Sequence, residues 1–286
     1  MIYFRFLDIP AYFIAYIIIS FFGLCIGSFL NVCIYRLPLE DPAERSLVKR
    51  SSHCPKCGAK IRFYDNVPVF SWLILKGKCR NCKEPISKRY PLVESLNWFL
   101  YMLALTFIDV QNYPIHSILI ALFFSVLIVI GFIDYDTMEI YPSQLGLIVI
   151  LAVLDVIFGH TITIPQRIIG ALAISVPFFI IGEVSRIFIR KKYDEDFRGI
   201  ELGDTFLMLV SGLLIGPKCI CASALIGIFT AAIVGIIAKA KGKESKLAFG
   251  PYLAIGLVFG SLFGNQMIDW YLNMLKAPEV YSMLLR

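Results

Sequence analysis

Eight apolar stretches, each near the length that crosses a bilayer, constrain this chain more than anything else in it. A hydrocarbon core of about 30 Å takes roughly 20 helical residues to span. Stretches of that order run from Tyr12 to Ile34, Leu92 to Phe107, Ile115 to Ile133, Gln144 to Phe158, Ile168 to Ile187, Thr205 to Ile220, Cys221 to Ala238 and Phe249 to Leu272. The sixth and seventh adjoin, and their boundary is drawn at Gly216 and Pro217. Lipid offers backbone groups no hydrogen-bond partners, so such stretches must be helices. The expected fold class is therefore all-α: a polytopic membrane protein with about eight transmembrane helices. A hydrophobic content of 58% and a mean hydropathy of +0.75 exclude an ordinary soluble domain of 286 residues. The first stretch follows a single cation, Arg5, and continues without a small-residue cleavage pattern. It reads as a retained helix rather than a signal peptide.

Charge is confined to a few places. Of the 27 lysines and arginines, 22 lie in three clusters: Arg36 to Arg89, Arg186 to Arg198 and Lys239 to Lys246. These clusters fall in alternate loops, so the positive-inside rule places all three in the cytoplasm and both termini outside. The expected location is the cytoplasmic membrane, crossed many times.

That topology gives meaning to two acidic motifs. The run GFIDYDTMEIYP carries Asp134 and Asp136 at the close of the third apolar stretch, and GIELGDTFLM carries Asp204 at the opening of the sixth. Carboxylates at the edge of a span are costly to desolvate and mark function. The third helix ends at the cytoplasmic edge and the sixth begins there, so both carboxylates are expected on one face. Two carboxylates brought together divide one proton, which is the working state of an aspartic protease. The plainer reading of any single one, Asp136 among them, is a solvated residue where a helix exits. Glu94, Glu183, Asn31 and Asn97 read as polar partners between helices. Asp109, Asp155 and Asp269 fall near outer ends and read as interfacial.

Between the first two helices lies a polar loop of about 55 residues, large enough for a small domain. It carries HCPKCGAK and KCRNCKEP. Cys54 with Cys57 and Cys79 with Cys82 form two knuckles separated by 21 residues, a tetrahedral zinc signature. Four thiolates close the coordination shell, so the zinc is expected to be structural, and the cytoplasmic location argues against disulfides. Lys56, Lys78, Arg80 and Lys83 would offset the tetrathiolate charge. Cys25, Cys33, Cys219 and Cys221 sit in or beside apolar helices and read as packing residues. The expected divisions are a first transmembrane helix at 1–36, a cytoplasmic zinc-binding domain at 37–91 and a membrane-embedded peptidase core at 92–286.

The chain resembles the bacterial type IV prepilin peptidases through an ordered set of motifs. They are GSFLNVCIYRLP (Gly27 to Pro38), the two knuckles, DNVPVFSWLILKGKCRNC (Asp65 to Cys82), ISKRYPLVES (Ile86 to Ser95), IDYD, LGD and FGPYLAIG (Phe249 to Gly256). The resemblance implies a membrane aspartyl protease of the GxGD type that removes a short basic leader from type IV prepilin or pseudopilin precursors. It places the catalytic aspartates at Asp134, the leading carboxylate of IDxD, and Asp204. It further implies, in many members, methylation of the new N-terminus with S-adenosylmethionine. Nucleic acid is not an expected partner; the substrates and the lipid bilayer are. The chain departs from the pattern in three places: Glu201 stands where the first glycine of GxGD is usual, Phe206 replaces the lysine of GDxK, and Pro142 stands one place late. Both carboxylates and Gly203 remain.

Two readings of other classes compete. A transporter would use the carboxylates as a proton relay and would show broken helices in matching halves. A zinc-binding assembly factor would tolerate loss of both aspartates.

Overall fold

A computed structural model describes residues 9–41, 44–47, 52–159, 161–193, 199–242 and 247–276. Of the basic clusters, Lys49, Arg50, Arg198, Lys243 and Lys246 lie outside the described residues. Secondary structure in the described residues is helical: α1 (Ile9–Arg36), a 3-10 turn (Phe63–Asp65), α2 (Phe70–Ile74), α3 (Arg89–Phe107), α4 (Pro114–Thr137), α5 (Pro142–Leu154) running into a π-helical turn (Asp155–Gly159), α6 (Ile164–Tyr193), α7 (Leu202–Ala240) and α8 (Gly250–Lys276). The chain forms two compact units, Met1–Thr137 and Met138–Arg286.

Six helices among the described residues are long and apolar enough to cross a membrane by length and composition. The expected count of about eight differs from this for two reasons. The sixth and seventh apolar stretches run together as α7, counted as one element of 39 residues although the non-helical backbone at Gly216 divides it into two helices. The second stretch folds as α3, whose 19 residues include Arg89 and Glu94 and which is not among the six.

In the first unit, α1, α3 and α4 pack on one another. Their contact carries a buried polar chain. Asn97 Nδ2 of α3 donates to the Gly23 carbonyl of α1 at 2.7 Å, and Ser125 Oγ of α4 donates to Asn97 Oδ1 at 2.8 Å. Asn31 Nδ2 reaches the Tyr90 carbonyl at 3.1 Å. In an apolar bundle these bonds fix the rotation of each helix, because an unmatched amide would be left in hydrocarbon.

In the second unit α7 is the hub, packing against α5, α6 and α8. On α8, Gly256, Gly260 and Gly264 recur every four residues and lie so close to Gly227, Ser223 and Cys219 of α7 that an added Cβ on any of the three would collide with an α7 atom. Small residues at this spacing let two backbones meet where no hydrophobic force drives them together.

Gly216 breaks α7 where the sequence placed the boundary between two stretches. Its backbone (φ 78°, ψ 179°) is non-helical and suits glycine alone, and the next residue, Pro217, has no N–H to offer the Leu213 carbonyl. Arg167 of α6 supplies the missing donor, with Nη1 3.0 Å from Leu213 O. Its other nitrogen, Nη2, pairs with Asp155 Oδ2 at 2.5 Å in an ion pair exposed by only 4% and 0%. Asp155, expected at an interface with water, is thus wholly buried.

Candidate active site and metal centre

Both knuckles fold by the same local device. In the first, Cys54 N donates to the Ala59 carbonyl and Gly58 N to the Cys54 carbonyl; in the second, Cys79 N donates to Glu84 O and Lys83 N to Cys79 O. The residue after the second cysteine takes positive φ in each, 67° at Gly58 and 63° at Lys83. This curls the backbone so that two thiols point the same way. The four sulfurs lie within 4.8 Å of one another, and Cys54 Sγ is 3.9 Å from Cys82 Sγ. A zinc bound at about 2.3 Å to each sulfur requires S–S edges near 3.8 Å. The cluster therefore fits a tetrahedral metal with little adjustment.

The surroundings favour the anion at two of the four thiols and oppose it at a third. Cys57 is lowered to about 6 by the Ala59 backbone N–H, with help from Asn81 Nδ2 at 3.7 Å. Cys79 is lowered by the backbone N–H groups of Cys82 and Asn81. Cys82 feels the Glu84 N–H pulling down, yet loss of water and three adjacent sulfurs hold it at about 12. Four thiolates thus crowd one another unless a cation sits among them. Arg80, one of the cations assigned to them from the sequence, instead grips Asp65 with two nitrogens at 2.6–3.0 Å and holds that carboxylate below its usual range.

The acidic motifs fall one in each unit. Helix α4 runs into the first motif as far as Thr137, so Asp134 and Asp136 sit on its final turn. Asp134 is 5% exposed, whereas Asp136 faces outward and pairs with Arg89 of α3 at 2.6 Å. Arg89 also lies over the Phe132 ring, 4.7 Å from its centre, and reaches the Phe132 carbonyl. The sequence does not name Arg89 as Asp136's partner; its place at the end of a basic cluster, opening an apolar stretch, is the available signal.

In the second unit Asp204 stands in the first turn of α7 and is also 5% exposed. Glu201 occupies the extended position that caps this helix, and its carbonyl accepts from Thr205 N. Gly203 abuts the 139–141 segment: a Cβ there would lie 3.2 Å from Ile140 Cβ. Both Glu139, beside Ile140, and Glu201 are exposed. Pro142 begins α5, where its fixed φ and missing N–H cost nothing. Phe206 is exposed on α7.

A family model described as the bacterial peptidase A24 N-terminal domain matches residues 21–108, and one described as the type IV leader peptidase family matches residues 121–236. The chain is 33% identical to a prepilin leader peptidase/N-methyltransferase of Aeromonas hydrophila over 90% of its own length and 93% of that protein's. It is 32% identical to a type 4 prepilin-like proteins leader peptide-processing enzyme of Escherichia coli O78:H11, covering 82% and 88% of the two chains. It is equally similar to a prepilin leader peptidase/N-methyltransferase of Neisseria gonorrhoeae, covering 82% and 85%. No solved structure gives a significant match.

Proposed function

Because the chain belongs to the type IV leader peptidase family, we propose that it is a membrane aspartyl endopeptidase that cuts the short basic leader from prepilin-like precursors at the cytoplasmic face. The observation that carries this reading is the burial of Asp134 and Asp204. Each is a carboxylate at the end of a helix long and apolar enough to cross a membrane, each is only 5% exposed, and both fall inside the leader peptidase match. Water-free surroundings are expensive for an ionised carboxylate, and a shared proton relieves that cost.

In the reaction the ionised member of the pair takes a proton from water as that water's oxygen attacks the scissile carbonyl carbon. The protonated member hydrogen-bonds the carbonyl oxygen and carries its developing charge. Collapse of the tetrahedral adduct breaks the C–N bond, and the proton taken from water passes to the leaving nitrogen. The pair titrates as one unit, so the proton belongs to Asp134 and Asp204 jointly.

Cys54, Cys57, Cys79 and Cys82 would hold zinc. With four cysteines on one ion there is no open position, and the ion's contribution is the fold of segment 37–91. Methyl transfer from S-adenosylmethionine, the second activity in the relatives' names, is proposed for the freed amino terminus without a binding site. Among the described residues no strand leads into a glycine-rich loop of the nucleotide-binding kind. No step of the cleavage uses it.

Incubating the lipid-reconstituted protein with a pilin-like precursor and mapping the products by mass spectrometry tests the proposal. A single cut between the basic leader and the apolar helix supports it; an intact precursor refutes it.

A further inference from the structure

The 69–76 segment of the zinc-bearing loop is tied down at an unexpected level. Val69 N donates to Glu94 Oε2 of α3 at 2.7 Å, and Glu94 also engages Ser28 of α1. Gly27 of α1 lies directly against Glu94: a Cβ on it would come within 2.8 Å of the Glu94 Cα. The ends of three packed helices, two of them candidate spans, give the level at which a membrane edge would run. Arg89, the first residue of α3, pairs with Asp136, one residue before the end of α4, and α1 ends at Arg36. Glu94 lies five residues beyond Arg89, about 7 Å further in at 1.5 Å per residue, and Gly27 lies roughly 13 Å in from the end of α1. A helical side chain leans back toward the helix N-terminus by a few ångströms. Even so, the Glu94 carboxylate and the Val69 amide sit at or inside the level where the spans begin.

Helix α2, which follows Val69 directly, is sorted by face. Trp72 turns inward, its Nε1 donating to the Ile86 carbonyl at 3.2 Å and its ring lying against Gly77. Phe70, Leu73 and Ile74, at i, i+3 and i+4 spacing, are 57, 58 and 75% exposed. Lys76 and Lys78, both exposed, follow at once. An apolar face bordered by cations that can reach up to phosphates is the pattern of an interfacial anchor.

We propose that residues 69–76 form a wedge seated in the bilayer interface, with Phe70, Leu73 and Ile74 among the acyl chains and Lys76 and Lys78 at anionic phospholipid headgroups. The zinc-bearing segment is then held against the membrane surface rather than suspended above it. The occupant of the apolar face is lipid because the tether fixes its depth; a segment floating in water would have no reason to reach Glu94.

Photocrosslinking tests this on the full-length protein in vesicles of phosphatidylethanolamine and alkyne-tagged phosphatidylglycerol. Benzoylphenylalanine replaces Phe70 or Ile74, with Phe188 of α6 (71% exposed) as the lipid-facing control and the exposed Lys56 as the water-facing one. The expected result is lipid adduct at 70 and 74 comparable with that at 188 and several-fold above that at 56, with bound zinc unchanged. Yields at 70 and 74 no higher than at 56, while 188 still labels, would overturn the proposal. So would adducts that pass from lipid to an added precursor, since the face would then belong to substrate.

Discussion

Arg89 Nη1 lies 2.6 Å from Asp136 Oδ2, and this pair gives the two aspartates of one motif different surroundings. Asp136 is exposed and neutralised by an arginine, while Asp134, two residues earlier on α4, is buried. A general base needs a free oxygen to take a proton from water, and Asp136 Oδ2 is already engaged by Arg89.

Asp136→Asn is therefore expected to keep most of the cleavage activity, with a loss of no more than severalfold. Arg89→Gln should lower stability modestly, by roughly 0–1 kcal/mol for a part-exposed pair. Steady-state cleavage of a precursor peptide checks the first, and thermal denaturation in detergent or lipid checks the second. Loss of activity in Asp136→Asn as deep as in Asp134→Asn would assign the outer carboxylate a direct part.

Removal of metal should unfold the 52–85 segment. Cys54→Ser combined with Cys82→Ser takes one ligand from each knuckle, and zinc content by elemental analysis is expected to fall from one per chain to near zero, since the fold of such sites rests on the metal. Retention of one zinc in that double variant would show that other residues bind it.

The buried Arg167–Asp155 pair carries a stability prediction. Arg167→Met alone strands a buried carboxylate and a carbonyl without its donor, and is expected to cost about 3–5 kcal/mol. Asp155→Asn with Arg167→Met removes both charges and should recover much of that loss. Thermal denaturation in detergent or lipid, compared across the single and double variants, reads the coupling. Additive losses would mean that the pair is no staple for the break in α7.

The leader's basic charge should be read by Glu139 and Glu201, which are exposed on either side of the Ile140–Gly203 contact. Opposite charges at such a surface attract by about 332/(εr), a few kcal/mol at most with an effective ε near 20, and salt screens them. Glu201→Gln is expected to raise KM for a basic-leader precursor with little change in kcat. Equal cleavage of neutral-leader and basic-leader precursors at low salt would remove this contribution.

The helices were legible because lipid-facing stretches declare themselves by length and apolarity, and the break in α7 because glycine followed by proline weakens a helix at two successive positions. The knuckles were legible for a similar reason: cysteine spacing fixes local geometry. What the sequence concealed is pairing over distance. Nothing near Asp155 names Arg167, nothing near Asp136 names Arg89, and Val69's bond to Glu94 depends on how a loop returns to a helix 25 residues away. The eight-stretch reading counted Leu92 to Phe107 on apolarity alone; the helix that forms there starts earlier and includes Arg89, which serves the ion pair at its end. Asp134 and Asp204 were found as residues at segment ends, but their burial is a property of the packed helices.

The central claim is that Asp134 and Asp204 act as one catalytic pair. Its most direct test is cleavage of a prepilin-like precursor by Asp134→Asn and Asp204→Asn, each reconstituted in lipid and checked for intact membrane insertion. An amide can neither share the proton nor activate water, so both variants should lose all detectable cleavage. Full activity in either variant would contradict the account.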